Sequence, residues 1–412
     1  MASSKDRDIL RELGRQYMAA ANDPRNAETI GLWKALNSGR MQRPMVNIDQ
    51  LPHHELEADG SQACLVEDPF WRSIERNMRR QLYMWNHFPV DMVIEPFIKL
   101  PMAVTDSGYG LTVEEDLLIS DHTSDIMSHR YKALLDETTD LSIIHDRTIT
   151  HDSAETNRRI MEGEDIFAGI APVRAHGIMF SLGIWDDITT WLGIENCYIT
   201  LLDNPDFIHR LLRRMTDALL TGIRQANALN VSNDIANTCH CSYVYDDAFL
   251  PAPGAGKGAL TKNSWAYGLA QLFSSASPEV TREFELPYVC EMAKEFGNIY
   301  YGCCDKLSDR MDLLKQIPNI RKASCSPWSD KVQFTEEVDP SIIISCKPNP
   351  AFLATNTVDE DVIRRDLQET CDFAKKHNKR LEFILKDVST VRYNPERLTR
   401  WHEIAMEVVK SW

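Results

Sequence analysis

Residues 299–307, "IYYGCCDKL", place two adjacent cysteines, Cys303 and Cys304, and Asp305 directly behind a β-branched and aromatic run. Adjacent cysteines pair poorly with each other, because a disulfide favours Cα atoms about 4.4–6.8 Å apart. At a strand end they are better placed to present sulfur to something else. Zinc takes thiolate, imidazole and carboxylate ligands, and a catalytic zinc keeps one position open. Cys303, Cys304, Cys346 and His240 (in "NTCHCSYVYDD") form the candidate metal set, with Asp387 following a strand close by. The competing reading is that free cysteines pack as small hydrophobes, which suits Cys239 and Cys241. Asp247, Lys347, Lys386 and Asp387 are the candidate catalytic groups, as proton handlers or binders of a substrate carboxylate. Lys347 stands out because it directly follows an apolar run in "SCKPNP". Tyr301, Trp265 and Trp328 are candidates to wall a pocket for an aromatic or cationic substrate, with Asn349 as a polar contact. Plain core packing is the alternative for each ring.

These residues need elements to carry them. Candidate strands are "VDMVIE", "LSIIH", "HGIMFS", "CSYVY", "NIYYG", "IRKAS", "SIIIS" and "LEFIL". Amphipathic stretches such as "NPDFIHRLLRRMTDALLTGIRQANAL" and "DEDVIRRDLQETCDFAKKH" lie between most of them. Strand–helix alternation repeated about eight times predicts an α/β chain closed as a (β/α)8 TIM barrel. Its active site belongs on the loops after the strands, where Glu95, His145, Asp246, Asp247, Cys303, Ser326, Lys347 and Lys386 fall. Residues 1–85 read as a helical and loop extension packed on a barrel of residues 86–412. An open doubly wound sheet is the rival, but no G-x-G-x-x-G follows the first strand. The stretch "PAPGAGKGAL" fails the phosphate-loop pattern, since Gly258 stands where Ser or Thr should hold magnesium. Residues 251–276 read instead as a lid over the barrel mouth, with Gly254, Gly256, Gly258 and Gly268 as hinges.

A net charge of −16 argues against nucleic acid or an anionic membrane as partner. No run of about 18 apolar residues spans a membrane, and "MASSKDRDILRELGRQ" is no secretory signal. Ten irregularly spaced cysteines fit reduced thiols, so a cytoplasmic location is expected.

The segments "GIWDDITTWLGIENCYITLLDNPDFIHRLLRRMTD" and "SPEVTREFELPYVCEMAKEFGNIYYGCC" resemble the uroporphyrinogen decarboxylase superfamily, in order, from about residue 86 to the C-terminus. The resemblance implies the same barrel. The arginine-rich motif of the true decarboxylases is missing from "SGRMQRPMVNIDQLPHHEL", so nothing obvious holds a molecule with many carboxylates. The other branch is the corrinoid-linked methyltransferases, whose zinc is bound by a His-x-Cys pair and a later cysteine. Here Tyr301-Gly302-Cys303 keeps the cysteine and loses the histidine, and Lys386 and Asp387 stand near the expected late ligand. The motifs "YYGCCDKL", "SPWSD", "CKPNPA" and "LKDVSTV" are similar to a subgroup linked to demethylation of methylated substrates. The resemblance thus implies transfer of a methyl group from a small donor, methoxylated aromatics included, to a corrinoid-binding partner protein docked on the barrel mouth. It leaves zinc and a homodimer open. The alternatives are a cofactor-independent decarboxylase of a smaller acid and a non-catalytic small-molecule-binding barrel.

Overall fold

The computed structural model describes residues 1–57, 60–119, 127–248 and 258–412. Eight short strands run parallel: β1 (Met45–Ile48), β2 (Ile98–Pro101), β3 (Val173–His176), β4 (Trp265–Gly268), β5 (Asn298–Tyr301), β6 (Ile320–Cys325), β7 (Ile343–Cys346) and β8 (Leu381–Leu385). Six of them form one sheet in the order β1-β8-β7-β6-β5-β4, and β2 pairs with β3 in a second. β1, β5, β7 and β8 are buried along their whole length, as expected of parallel strands covered on both faces. Their covering is helical. Helix Pro205–Leu229 starts where the Asn204 side chain accepts from the Phe207 amide and stops at Asn230 in the left-handed region. Its stripe of Phe207, Leu211, Met215, Leu219 and Ile223 joins the main core. Helices Ser4–Ala21 and Pro69–His87 enclose a second core around Trp33, Trp71 and Trp85.

The architecture is a mixed α/β fold on a six-stranded parallel sheet, compatible with an open barrel. Beyond β3 the chain leans on β4, with Leu182 N donating to Tyr267 O at 2.7 Å. Among the described residues no ladder joins β1 to β2, so the expected closed barrel is not formed by strand pairing. Other groups occupy that gap. The Asp91 carboxylate takes the Val46 amide (2.9 Å) and a bidentate Arg43 (2.6 and 2.8 Å). A short antiparallel hairpin, Thr238–Cys239 with Ser242–Tyr243, reaches both sides: Asn47 Nδ2 donates to Cys241 O, and Lys99 Nζ donates to Asn237 Oδ1.

That hairpin is pinned from inside the sheet. Lys322 of β6 and Glu382 of β8 are fully buried and 2.7 Å apart. The Lys322 ammonium also donates to Ser242 Oγ (2.6 Å) and Tyr243 O (3.0 Å).

Several sequence expectations change. The four C-terminal strands fall where the apolar runs predict. "VDMVIE" is not a strand, because its Asp91 is held as an ion-pair partner rather than in a ladder. "LSIIH" is a 3-10 turn with Asp140 accepting from the Ser142 amide. The strand expected in "HGIMFS" lies earlier, at β3, and "CSYVY" belongs to the antiparallel hairpin. β1 comes from the segment expected to lie outside the barrel. Of the expected lid, residues 251–257, with Gly254 and Gly256, lie outside the described residues. The remainder is not a lid: it contains β4, and Gly268 packs against the Tyr301 ring. Gly258 sits at φ 82° against Asn230, where a Cβ would meet the carbonyl oxygen at 1.9 Å.

Lys322→Met should lower the unfolding free energy by about 3–5 kcal/mol, because it strands a buried carboxylate. Adding Glu382→Leu should recover most of that loss. Urea denaturation of both variants decides it, and a single-variant loss below about 1 kcal/mol would show that the pair does not pin the hairpin.

Candidate functional site

A cavity of about 440 Å³ opens at the C-terminal ends of the parallel strands. Gln50 follows β1, Met179 follows β3, Tyr267 and Leu269 end β4, and Cys303 follows β5. Asp186 enters from the first turn of helix Ile184–Leu192, and Thr238 and His240 enter from the hairpin. A second cavity of about 340 Å³ fills the gap between β1 and β2 and shares Thr238 and His240 with the first.

The hairpin's two-residue turn is His240–Cys241, with His240 at φ 55°. This turn projects the imidazole over the Tyr300 ring, stacked at 5.2 Å and 7°. From there a line of alternating charges crosses the site. Lys347 Nζ donates to Cys241 Sγ (3.3 Å), and His240 Nδ1 lies 3.0 Å from the same sulfur. Lys386 Nζ donates to Cys303 Sγ at 2.9 Å and lies 3.4 Å from Asp387. Cys304 donates to Asp387 Oδ2 at 3.0 Å, and its sulfur is 3.7 Å from Cys303.

The electrostatics follow from these contacts. The Cys304 thiol, against the cost of burial and with help from His240 and Lys386, pulls the Cys303 thiol down to about 3. Burial also opposes ionisation of Cys241, but Lys347 and His240 hold it below the usual thiol value. Burial alone would lower His240; the two sulfurs instead raise it to about 9. Opposite behaviour appears on the acid side. Burial, then the charges of Asp305 and Cys303, pushes Asp186 up to about 7. Asp305 rises to about 7 through burial and Cys303, and Glu285 to about 8 through burial. Glu285 Oε1 accepts from Tyr301 OH at 3.0 Å.

Six of the expected residues therefore stand together: His240, Cys303, Cys304, Lys347, Lys386 and Asp387. Others do not join them. Cys346 and Lys347 are adjacent and point to opposite faces. Lys347 turns inward to Ser345 Oγ (2.9 Å), whereas Cys346 turns outward to Cys325 and Lys331 under the helices. Asp247 pairs with Arg40 at 2.6 Å, away from the mouth. Its hairpin arm runs antiparallel, so residues 246–247 return to the N-terminal ends of the strands. There Trp265 and Asn298, the first residues of β4 and β5, both donate to Asp246. Trp265 is thus core at the opposite end from Cys303. Tyr301 points into the helix layer toward Glu285, Trp328 is 73% exposed on the surface, and Asn349 caps the turn at Ala351.

The expected zinc set is accordingly split. Among the described residues no three His, Cys, Asp or Glu side chains are placed to hold a metal ion, and the Lys386 ammonium occupies the side of Cys303 where a cation would bind. As arranged, these groups do not make a zinc site. Sequence reading singles out Asp305 beside the two cysteines, takes Cys241 for a packing residue, and passes over Asp186 and Glu285. "WDD" at a helix start behind an apolar run was the available signal for Asp186; Cys241 carried none that separated it from a packing cysteine.

No family model matches the chain, and no curated protein matches it. Among solved structures, a methyltransferase from Methanosarcina mazei is 12% identical and aligns over 91% of this chain and 97% of its own, with a TM-score of 0.49. An overlap below 0.5 does not establish a shared fold.

Glu285 and Asp305 bind protons in the folded chain above the pH at which an unfolded carboxyl releases them. The folded state then holds more protons, so they make stability fall as pH rises from about 4.5 through about 8. Glu285→Gln should flatten that fall. Denaturant titrations at pH 5 and pH 8 test this, and an unchanged slope would mean Glu285 is ionised when folded.

Proposed function

We propose that the chain is a methyltransferase that removes a methyl group from a small methyl ether and passes it to a corrinoid carried by a partner protein. One observation supports it above the others: an Asp186 carboxyl that keeps its proton near neutral pH faces a cavity bordered by the protonated His240 and the Cys303 thiolate.

A volume of about 440 Å³ suits a small molecule and not a corrinoid, so the acceptor stays outside on its own protein. When docked, the corrinoid supplies the nucleophile that takes the methyl group. The chain's residues handle the other half of the reaction. Tyr267, Met179 and Leu269 offer apolar walls, and Gln50, Gln271 and Thr238 offer hydrogen bonds that orient polar substituents. The departing oxygen keeps the electron pair of its bond to the methyl carbon and takes a proton from Asp186. The charge of the His240 imidazolium, whose hydrogen bonds go to the two sulfurs, stabilises the same developing anion. Lys347 and Lys386 hold the two sulfurs as anions, which keeps the imidazole charged. An ether needs this acid, because its leaving group is an anion; a methylammonium donor releases a neutral amine and does not.

The test is formation of the demethylated product from a panel of methoxylated compounds, followed by mass spectrometry with and without reduced cobalamin. Product should depend on the cobalamin, and the rate should fall as pH rises through about 7, where Asp186 loses its proton. Asp186→Asn should cost roughly 10²–10⁴-fold in kcat. Carbon dioxide release without cobalamin would overturn the reading in favour of a decarboxylase, and an unimpaired Asp186→Asn would remove the acid.

A further inference from the structure

The proposed methyl transfer draws on the charge of Cys303 but not on its reactivity, and it leaves Cys304 without a task. Cys303 faces the mouth cavity with Lys386 Nζ at 2.9 Å. Cys304 lies alongside at 3.7 Å, half-buried, its S–H directed to Asp387. A thiolate beside a cation, open to small molecules and next to a second thiol, is the arrangement in which cysteines react with peroxides and are resolved to disulfides. Among the described residues no other cysteines combine these features. Cys197, Cys239 and Cys371 are buried and their thiols are pushed up. Cys325 and Cys346 face each other beneath the helices, and Cys241, in the hairpin turn, is fully buried with no second thiol beside it in the turn.

We propose that Cys303 and Cys304 form a reversible vicinal disulfide on meeting a hydroperoxide, and that this bond switches the mouth site off. The second half rests on the methyl-transfer reading; the first does not. The Cys303 thiolate attacks the terminal OH oxygen of the hydroperoxide, the O–O bond breaks, and the alkoxide (hydroxide from hydrogen peroxide) leaves with the electron pair, giving a sulfenic acid. Cys304 then attacks that sulfur, its proton passing by way of Asp387 to the departing hydroxyl, so that water leaves as the S–S bond forms. The two cysteines give up two electrons and the peroxide accepts them. Adjacent Cα atoms across a trans peptide are about 3.8 Å apart, below the about 4.4 Å that relaxed disulfides reach. The bond is therefore strained and readily reduced, as in disulfides that act as switches. Its formation removes the anion that Lys386 and His240 face, and with it the charge balance of the site.

The experiment takes the full, reduced chain, adds one equivalent of hydrogen peroxide, and follows alkylated peptides by mass spectrometry. The peptide holding Cys303 and Cys304 should lose the mass of two hydrogens at least about tenfold faster than Cys290 is oxidised. Cys290 is the comparator because its thiol is pushed up to about 11 by burial. Dithiothreitol should restore the peptide, and Cys304→Ser should stop at a sulfenic acid that dimedone traps. Oxygen addition without a disulfide in the native chain, or a rate no faster than Cys290, would overturn the proposal. Demethylation should stop on oxidation and return on reduction; continued turnover of the oxidised protein would overturn the switch. A disulfide that forms in a protein showing no demethylation would support the thiol chemistry and count against the methyl-transfer reading alone.

Discussion

The buried pair of Lys322 and Glu382 is the constraint on which the site depends. Enclosing two full charges is costly unless each is paired and hydrogen-bonded. Lys322 meets that demand with all three of its protons: one to Glu382, one to Ser242 Oγ and one to Tyr243 O. Two of those acceptors belong to the hairpin, so satisfying the lysine fixes the hairpin inside the sheet. The hairpin in turn occupies the place where β1 and β2 do not pair, and its two-residue turn delivers His240 and Cys241 to the mouth. Structure and site are thus coupled through one ammonium group.

The mouth repeats the same logic at higher charge density. Lys347, Cys241, His240, Cys303 and Lys386 alternate in sign, and Asp387 closes the line. Cys241, His240 and Cys303 stay ionised against the cost of burial because each has opposite neighbours, and low local polarity strengthens those contacts. The carboxyls just outside the line see it differently. Asp186 and Asp305 face the sulfur anion of Cys303 rather than a lysine, so burial and like charge act together and both keep their protons longer. The thiolate thus helps keep both acids protonated.

Much of this could be read from the sequence, and the parts that could not have identifiable causes. Strands β5 to β8 are runs of β-branched and aromatic residues, and the chemistry at Cys303, Lys347 and Lys386 follows from reading what comes directly after each run. Strand β1, four residues behind a proline in a turn-rich stretch, is too short for periodicity to separate from loop. The hairpin defeats the reading more seriously. "CSYVY" has strand composition, but its partner is a neighbouring arm held by a lysine eighty residues away, and that reversal carries Asp247 and Trp265 to the wrong end. The alternation of side chains along β7 was legible in principle. Ser345, Cys346 and Lys347 share two faces between them, so Lys347 and Cys346 could not both line one pocket.

In the proposed transfer, the rim of the mouth is the surface that an external acceptor would meet. The 3-10 turn Gln271–Ser275 supplies one edge, and the buried Arg310 guanidinium ties it down through Phe273 O, Ala276 O and Thr281 Oγ1. Beside it the start of helix Ile184–Leu192 is anchored by Trp185, whose ring packs on Phe273 at 4.7 Å and whose Nε1 donates to Phe284 O at 3.1 Å. Both edges are therefore set by groups that make their bonds within the chain and need no ligand to order them. A rim of that kind is preformed, and preformed surfaces change little when a partner seats on them. Selection among donors would then rest on the side chains inside, and selection among acceptors on the shape of the rim, so the two halves of a transfer reaction can be tuned by different residues.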